Sequence, residues 1–445
     1  MANGWSGRRL HFIGVGGAGM SGLALVCARL GAKVSGSDRS ESSYLERLRA
    51  AGLEVVVGHD AANLPEGAEV VVSTAIAAGN PELAAAVERG IEPIHRGALL
   101  AALCAEKRLI AVAGTHGKTT TTAMIATALR ATGADPAFFV GGEVPGLGED
   151  GGAANAGWGE GEWVVAEADE SDASFLELRP EVAVVTNLEM DHHSRWGSLA
   201  ELHEAFGRFL APAAGAALPA DGSLDSLAVQ PGPQILGFDA EAPGPAELAL
   251  AVPGRHNLLN ARAALAAIEL AGLDAEGPAA ALGGFPGVRR RLELKGRRGG
   301  VLIYDDYAHH PTEVRAALEA LRELGPPRLI AVFQPHLYSR TKAFATAFGS
   351  ALALADEVAV LEVYPAREQP VGELAGVSGL DVARAAADRA GGRPVWWLPD
   401  AGGAERALAE RLDRAERFGE GSVLVTIGAG DVFRLGEALA AEGGS

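Results

Sequence analysis

Three times along this 445-residue chain a short β-branched run gives way to an Ala/Leu-rich helical stretch, and then the pattern begins again. It opens with a strand at His11–Val15 and a helix at Ala18–Leu30, restarts at Leu109, and starts a third time after Arg291. Strands that alternate with helices predict parallel sheets covered by helices, an α/β fold. The chain is too long for one core, since domains run at about 150 residues. We therefore expect three domains: a Rossmann-like one over 1–105, a P-loop ATPase-like one over 106–294 and a second Rossmann-like one over 295–445.

Within the first segment Lys33–Gly36 and Val70–Ser73 read as strands, with a helix from about Ser42. The second has strands at Leu109–Ala113, Val164–Ala168 and Val182–Thr186 and a helix over Thr119–Ala131. In the third, Val301–Tyr304, Leu329–Phe333, Glu357–Val363 and Val423–Ile427 read as strands and Thr312–Leu324 and Lys342–Leu354 as helices. Gly141–Gly161, with nine glycines, reads as loop, and Ala211–Pro253 shows no clean periodicity. Trp396 and Trp397 are expected to pack the third domain, while His95 and His203 read as structural or surface residues.

Charge and composition exclude several classes. The formal net charge is −19, from 57 acidic and 38 basic residues, the opposite of the basic surface that nucleic acid requires. Small phosphate-bearing ligands remain compatible, because a few placed cations and backbone amides hold them. No apolar run is long enough to span a membrane. Arg8 and Arg9 lead into a strand-turn-helix pattern and not into a cleavage site, so a cytoplasmic protein is expected. Cys27 and Cys104 lie in apolar surroundings without partner spacing, as buried free thiols do.

Two glycine turns carry chemistry. Gly14, Gly16 and Gly19 have G-x-G-x-x-G spacing between a strand and a helix, and Asp38 ends the next strand. Such glycines let the backbone approach a diphosphate, which the free amides of the helix N-terminus then hold. Alone, this fingerprint suggests a NAD-dependent dehydrogenase, but a UDP-sugar carries a diphosphate too. The second turn, Ala113-Gly114-Thr115-His116-Gly117-Lys118-Thr119-Thr120, suits a triphosphate: amides around the phosphates, Lys118 neutralising them, and the Thr119 hydroxyl reaching Mg²⁺. It is shorter than the common P-loop, with Val112 where that pattern has its first glycine. Downstream, Glu167, Asp169, Glu170 and Asp172 follow one strand and Asn187, Glu189, Asp191 and His192 another, where a doubly wound sheet gathers ligands.

Several further motifs keep this order: Phe12 to Gly22, Ser35-Gly36-Ser37-Asp38, Ser73-Thr74-Ala75-Ile76, Gly114 to Thr120, Glu167 to Asp172 and Thr186 to His192. Pro253-Gly254-Arg255-His256-Asn257, Asp305 to Pro311, Phe333-Gln334-Pro335-His336 and Gly428-Ala429-Gly430-Asp431 complete the series. In these the chain resembles the muramyl ligase family over His11 to Asp431, and within it the branch that adds L-alanine to UDP-N-acetylmuramate. The resemblance implies an ATP-dependent ligase of peptidoglycan precursor synthesis, working through an acyl phosphate with two Mg²⁺ ions, as a monomer or a dimer. It implies that Gly16, Gly17, Gly19, Met20, Ser21, Ser37, Asp38 and Ser73 lie at the UDP-sugar. Gly114, Thr115, His116, Gly117, Lys118, Thr119, Thr120, Asn257, Asn260, Asp305 and Tyr307 would lie at ATP. Thr119, Glu167 and His192 would hold metal, and His309, His336 and Arg340 would face carboxylates, with Lys118, Glu167, His192, His309 and Arg340 catalytic. The third domain would close over ATP and amino acid. Relatives often carry methionine at His193 and arginine at Leu337. No lysine lies between Lys118 and Lys295, so the carbamylated lysine of sister ligases has no counterpart. The alternatives are a tripeptide-adding ligase of the same family and a non-catalytic UDP-sugar sensor; a dehydrogenase has no use for a second nucleotide loop. Arg289, Arg290 and Arg291, at the second boundary, are either a solvated face or a hinge touching nucleotide.

Overall fold

The computed structural model describes residues 4–191, 195–227, 232–241, 248–366, 368–413 and 419–441. The chain divides into two compact units, Met1–Ala251 with Leu258–Pro286, and Val252–Asn257 with Gly287–Ser445. The first unit carries two sheets. One is all parallel, formed by β1 (Arg9–Ile13), β2 (Lys33–Asp38), β3 (Glu54–Val57), β4 (Glu69–Val72) and β5 (Ile94–His95), in the order β3-β2-β1-β4-β5. Its helices are α1 (Ala18–Arg29), α2 (Ser43–Ala50), α3 (Pro81–Glu88) and α4 (Arg96–Cys104). The order reverses between β1 and β4, which is where such a sheet opens a crevice for ligand. Local signals fix the helix starts: Ser42 accepts from the Leu45 amide, and Asn80 from those of Glu82 and Leu83 with Pro81 in the first turn.

The second sheet contains β6 (Arg108–Ala113), β7 (Ala137–Val144), β8 (Ala154–Gly157), β9 (Trp163–Glu167), β10 (Val182–Val185), β11 (Gly215–Pro219) and β12 (Gln234–Phe238). They are ordered β12-β11-β10-β6-β9-β7-β8, and the β7–β8 pair alone is antiparallel. β10 is buried throughout and β6 at all but its first residue, as expected of parallel strands covered on both faces. Here α5 (Lys118–Ala131), α6 (Leu199–Leu210), α7 (Arg255–Leu270) and α8 (Glu276–Leu282) follow. The glycine-rich stretch 141–161 is only partly loop, since it contains the end of β7 and all of β8. Glycine lets β8 lie against α1: a Cβ on Gly22 would stand 2.8 Å from that of Ala156. The 211–253 stretch likewise supplies β11 and β12; β11 reads GAALP and has no β-branched residue to announce it.

The second unit has one sheet, β13 (Glu293–Arg298), β14 (Val301–Asp306), β15 (Leu329–Phe333), β16 (Glu357–Leu361), β17 (Val395–Leu398) and β18 (Val423–Ile427). The order is β13-β14-β18-β15-β16-β17, antiparallel only at β13–β14. It is covered by α9 (Pro311–Glu323), α10 (Tyr338–Leu352), α11 (Gly379–Ala387), α12 (Ala401–Asp413) and α13 (Val432–Ala441). Helix α10 starts four residues before the expected Lys342 and so takes in Arg340. Trp396 packs on the core of this sheet, whereas Trp397 is 39% exposed and does not. Both cysteines are buried and free; burial pushes the Cys27 thiol up to about 12 and raises that of Cys104 as well. Among the described residues no helix is long and apolar enough to cross a membrane.

Candidate active site

Strand order places the chemistry. β10, β6 and β9 lie side by side, with Ala113 opposite Val185 and Val112 opposite Glu167. The loop leaving β6 therefore emerges between the stretch after β9 and the stretch after β10. Two glycines give that loop its shape. Gly114 has φ +128°, and a Cβ there would collide with the Thr186 hydroxyl; Gly117 has φ +82°, and its Cβ would lie 2.5 Å from Asn260 Oδ1. Hydrogen bonds from the β10 side hold the turn. The His116 amide donates to Asn187 Oδ1 at 2.9 Å, Asn187 Nδ2 donates to the His116 carbonyl at 2.9 Å, and Thr115 Oγ1 both donates to and accepts from the Glu189 backbone. Asn187 and Glu189 thus brace the loop. Thr186, which the motif reading left without a role, does so as well, donating to the His116 carbonyl at 2.5 Å.

Lys118 begins α5. Its Nζ donates to the Gly114 carbonyl at 2.6 Å, the Thr115 carbonyl at 3.1 Å and the Glu170 carboxylate at 2.9 Å. Burial works against the ammonium, but Glu170, Asp169 and Glu167 around it outweigh burial and raise its pKa. Burial pushes Glu170 up to about 7 against the pull of Lys118, helped by the neighbouring Asp169. Thr119 Oγ1 donates to Glu167 Oε1 at 3.0 Å and the Gly141 amide to Glu167 Oε2 at 2.7 Å. A hydroxyl and a carboxylate brought together beside a phosphate-type loop are the hard oxygen donors that magnesium takes, so Thr119 and Glu167 fit that ion. His192 and His193 lie outside the described residues.

At the first loop, the Gly14 and Val15 amides donate to the Ser37 carbonyl at 2.8 and 2.9 Å, and the Gly16 amide to Asp38 Oδ2 at 2.8 Å. Ser37 and Asp38 thereby shape the turn. The Ser37 side chain, expected near nucleotide, points inward instead: its hydroxyl donates to Glu82 Oε2 at 2.6 Å and contacts His59 Nδ1 at 2.9 Å. Glu82 is fully buried and also takes His11 Nε2 at 3.0 Å, Asn63 Nδ2 at 2.8 Å and the Asp60 amide at 3.1 Å. Gly17 caps α1 without a side chain, leaving the amides of Ala18, Gly19 and Met20 without intrahelical acceptors. Ser21 is buried and donates to the Ala18 carbonyl, and Ser73 follows β4 on the other side of the crevice.

In the second unit the ends of β14, β18 and β15 adjoin and bring together Tyr307, His309 and His336. Ring centroids are 5.5 Å apart for Tyr307 and His309 and 6.2 Å apart for His309 and His336, and His336 stacks on Tyr364 at 5.8 Å. Buried Arg340 reaches His336 Nδ1 at 3.3 Å. Leu337, at the head of α10, has φ +68°, a strained conformation for a branched residue. Asp305 is fully enclosed, taking Arg290 Nε at 3.1 Å and Thr426 Oγ1 at 2.7 Å. Arg290 also donates to the Gly428 carbonyl at 2.8 Å and lies 4.9 Å from the Tyr307 ring centre. The arginine run is therefore no simple solvated face. Burial lifts Asp306 to about 6, and burial holds His256 down at about 4, helped by Arg291. Asn257, whose Nδ2 donates to the Pro253 carbonyl at 2.7 Å, and Asn260 are buried one turn apart on α7.

Two glycine loops at strand-to-helix turns of successive sheets, the second with lysine, threonine and a carboxylate beside it, have the form that phosphate-handling enzymes use. Family models agree along most of the chain: residues 9–108 match the Mur ligase family catalytic domain, 112–218 the Mur ligase middle domain and 290–430 the Mur ligase glutamate ligase domain. The chain belongs to the Mur ligase family. It is 45% identical to the UDP-N-acetylmuramate–L-alanine ligase of Renibacterium salmoninarum, over 97% of this chain and 95% of that protein. The crystal structure of the UDP-N-acetylmuramate–alanine ligase of Thermotoga maritima superposes with a TM-score of 0.82 at 29% identity, covering 98% of both chains. A murein peptide ligase from Psychrobacter arcticus gives 0.72 at 25% identity, covering 98% of this chain and 99% of that one.

Proposed function

We propose that this chain joins L-alanine to the lactyl carboxylate of UDP-N-acetylmuramate in the cytoplasm, splitting ATP to ADP and phosphate. A carboxylate oxygen attacks the γ-phosphorus and ADP leaves; the alanine nitrogen attacks the acyl carbon, loses a proton, and phosphate leaves. One observation carries the reading: Lys118 stands in a triphosphate-type loop, while a separate glycine loop in the same compact unit suits a diphosphate. Carboxylate and triphosphate repel each other, so a fixed cation beside the phosphates lowers the barrier. Lys118 is that cation in the first unit, and Arg340 in the second is the one the family resemblance assigns to a carboxylate. Magnesium, two ions in the fullest reading, would be held by Thr119 and Glu167, with His192 as the family resemblance implies, and would neutralise phosphate charge. Within the second unit His309 and His336 orient carboxylates, while Asn257, Asp305 and Tyr307 serve the adenosine end, Asp305 through Arg290; in the first unit the family resemblance assigns Asn260 to ATP. A hydrolysable acyl phosphate also requires water to be kept out while it exists.

The test is phosphate release with ATP, magnesium and UDP-N-acetylmuramate, with and without alanine. Release should require alanine and cease with a chelator, and ¹⁸O in the sugar carboxylate should appear in the phosphate. Release that responds to the tripeptide and not to alanine would favour the recycling ligase, the reading to which the Psychrobacter likeness points.

A further inference from the structure

Arg96, the first residue of α4, stands between the first glycine loop and the stretch that follows β9. Its Nη2 donates to Asp169 Oδ2 at 2.6 Å and to Asp172 Oδ2 at 2.8 Å, both in the stretch that follows β9. Its Nη1 faces the other way, 3.5 Å from where a Cβ of Gly19 would stand. Gly19 lies in the first turn of α1, among the amides without intrahelical acceptors. Among the described residues, the protein hydrogen bonds of this guanidinium all leave from Nη2, so Nε and Nη1 still have N–H groups to give. The side chain is only 22% exposed, so the guanidinium is held largely within the unit. A Cβ at position 19 would only touch that face at ordinary van der Waals distance, so Nη1 and the head of α1 are near neighbours.

We propose that Arg96 binds the diphosphate of the UDP-sugar: its Nη1 edge takes a phosphate oxygen seated on the Gly14–Gly19 loop while Nη2 keeps hold of Asp169. A planar guanidinium with five donors can serve two acceptors at once, as an ammonium cannot. Asp172, bonded to Nη2, shares the positive charge with the diphosphate but not its donors. The same residue thus ties the sugar cradle to the acidic stretch that surrounds Lys118. This rests on the functional reading above, in which the first loop holds a UDP-sugar.

The discriminating experiment measures the dissociation constant of UDP for the full chain and for Arg96→Ala and Asp172→Asn, with ATP binding to each variant as the check on folding. Loss of one charge-assisted hydrogen bond should weaken UDP binding to Arg96→Ala by about 10- to 100-fold. Asp172→Asn should bind UDP at least as tightly as the unaltered chain, because it removes a negative charge beside the guanidinium and takes no donor from Nη1. If Arg96 only braces the loop after β9, the two variants will lose UDP affinity together, and the proposal falls. It falls equally if Arg96→Ala binds UDP unchanged. Absence of UDP-N-acetylmuramate-dependent phosphate release by the unaltered chain would remove the ligase reading but leave the UDP comparison standing.

Discussion

Lys118 has its ammonium enclosed by two carbonyls of its own loop and by Glu170. Truncating it should therefore damage phosphate chemistry and leave the sugar cradle alone. Lys118→Ala is expected to lower turnover by about 100- to 1,000-fold while the dissociation constant for UDP-N-acetylmuramate stays within about twofold. Parallel loss of both, by steady-state rates and titration calorimetry, would contradict that division. Lys118 was legible because a glycine loop writes its ligand chemistry into consecutive residues. The part played by Ser37 was not, because its hydroxyl is claimed by Glu82, 45 positions away. Burial would push Glu82 up, but hydrogen bonds from His11, Ser37, Asn63 and the Asp60 amide hold it down at about 2, against 4.5 in the open chain. A carboxyl depressed in this way adds stability above pH 4.5 that disappears as pH falls through about 2. Glu82→Gln should accordingly lower the melting temperature at pH 7, and the gap from the unaltered chain should narrow between pH 4.5 and 2.

At the scale of elements, strand alternation and the two loop-to-helix turns announced β1, β6, β14, α1 and α5 in the sequence. β8 was hidden because its face toward α1 needs small residues: Ala156 meets Gly22, and Asn155 Nδ2 donates to the Ala18 carbonyl at 2.5 Å and to Ser21 Oγ at 3.3 Å. A stretch chosen for close approach looks like loop to any propensity scale. Asn155→Ala should lower stability by about 1–3 kcal/mol, the penalty for unsatisfied buried partners, measured by denaturant titration. Gly117→Ala tests the second turn. A positive φ costs a non-glycine residue about 1 kcal/mol, and the new methyl must displace Asn260. ATP affinity should drop at least about tenfold in calorimetry, with UDP binding preserved. The head of α10 was misplaced by four residues because a leucine with φ +68° is no helix-start signal, and Arg340 moved into a helix as a result.

For the whole molecule, the family and the α/β architecture were readable because so many short motifs fall in one order over nearly all of the chain. The two-unit grouping was not readable, since it depends on which surfaces bury one another. That grouping has a practical side. Cys27 on α1 and Cys104 on α4 are both sealed within the first unit, their thiols raised by burial and so closed to thiolate chemistry. Alkylating reagents should leave the native enzyme untouched and active. Once the layer holding α1 and α4 opens, both sulfurs become reactive, so the pace of labelling, followed by intact mass under native conditions, would serve as a clock for that opening. Bound UDP-sugar should slow the clock. The same silence lets a single cysteine introduced at the surface carry a fluorophore without competing sites.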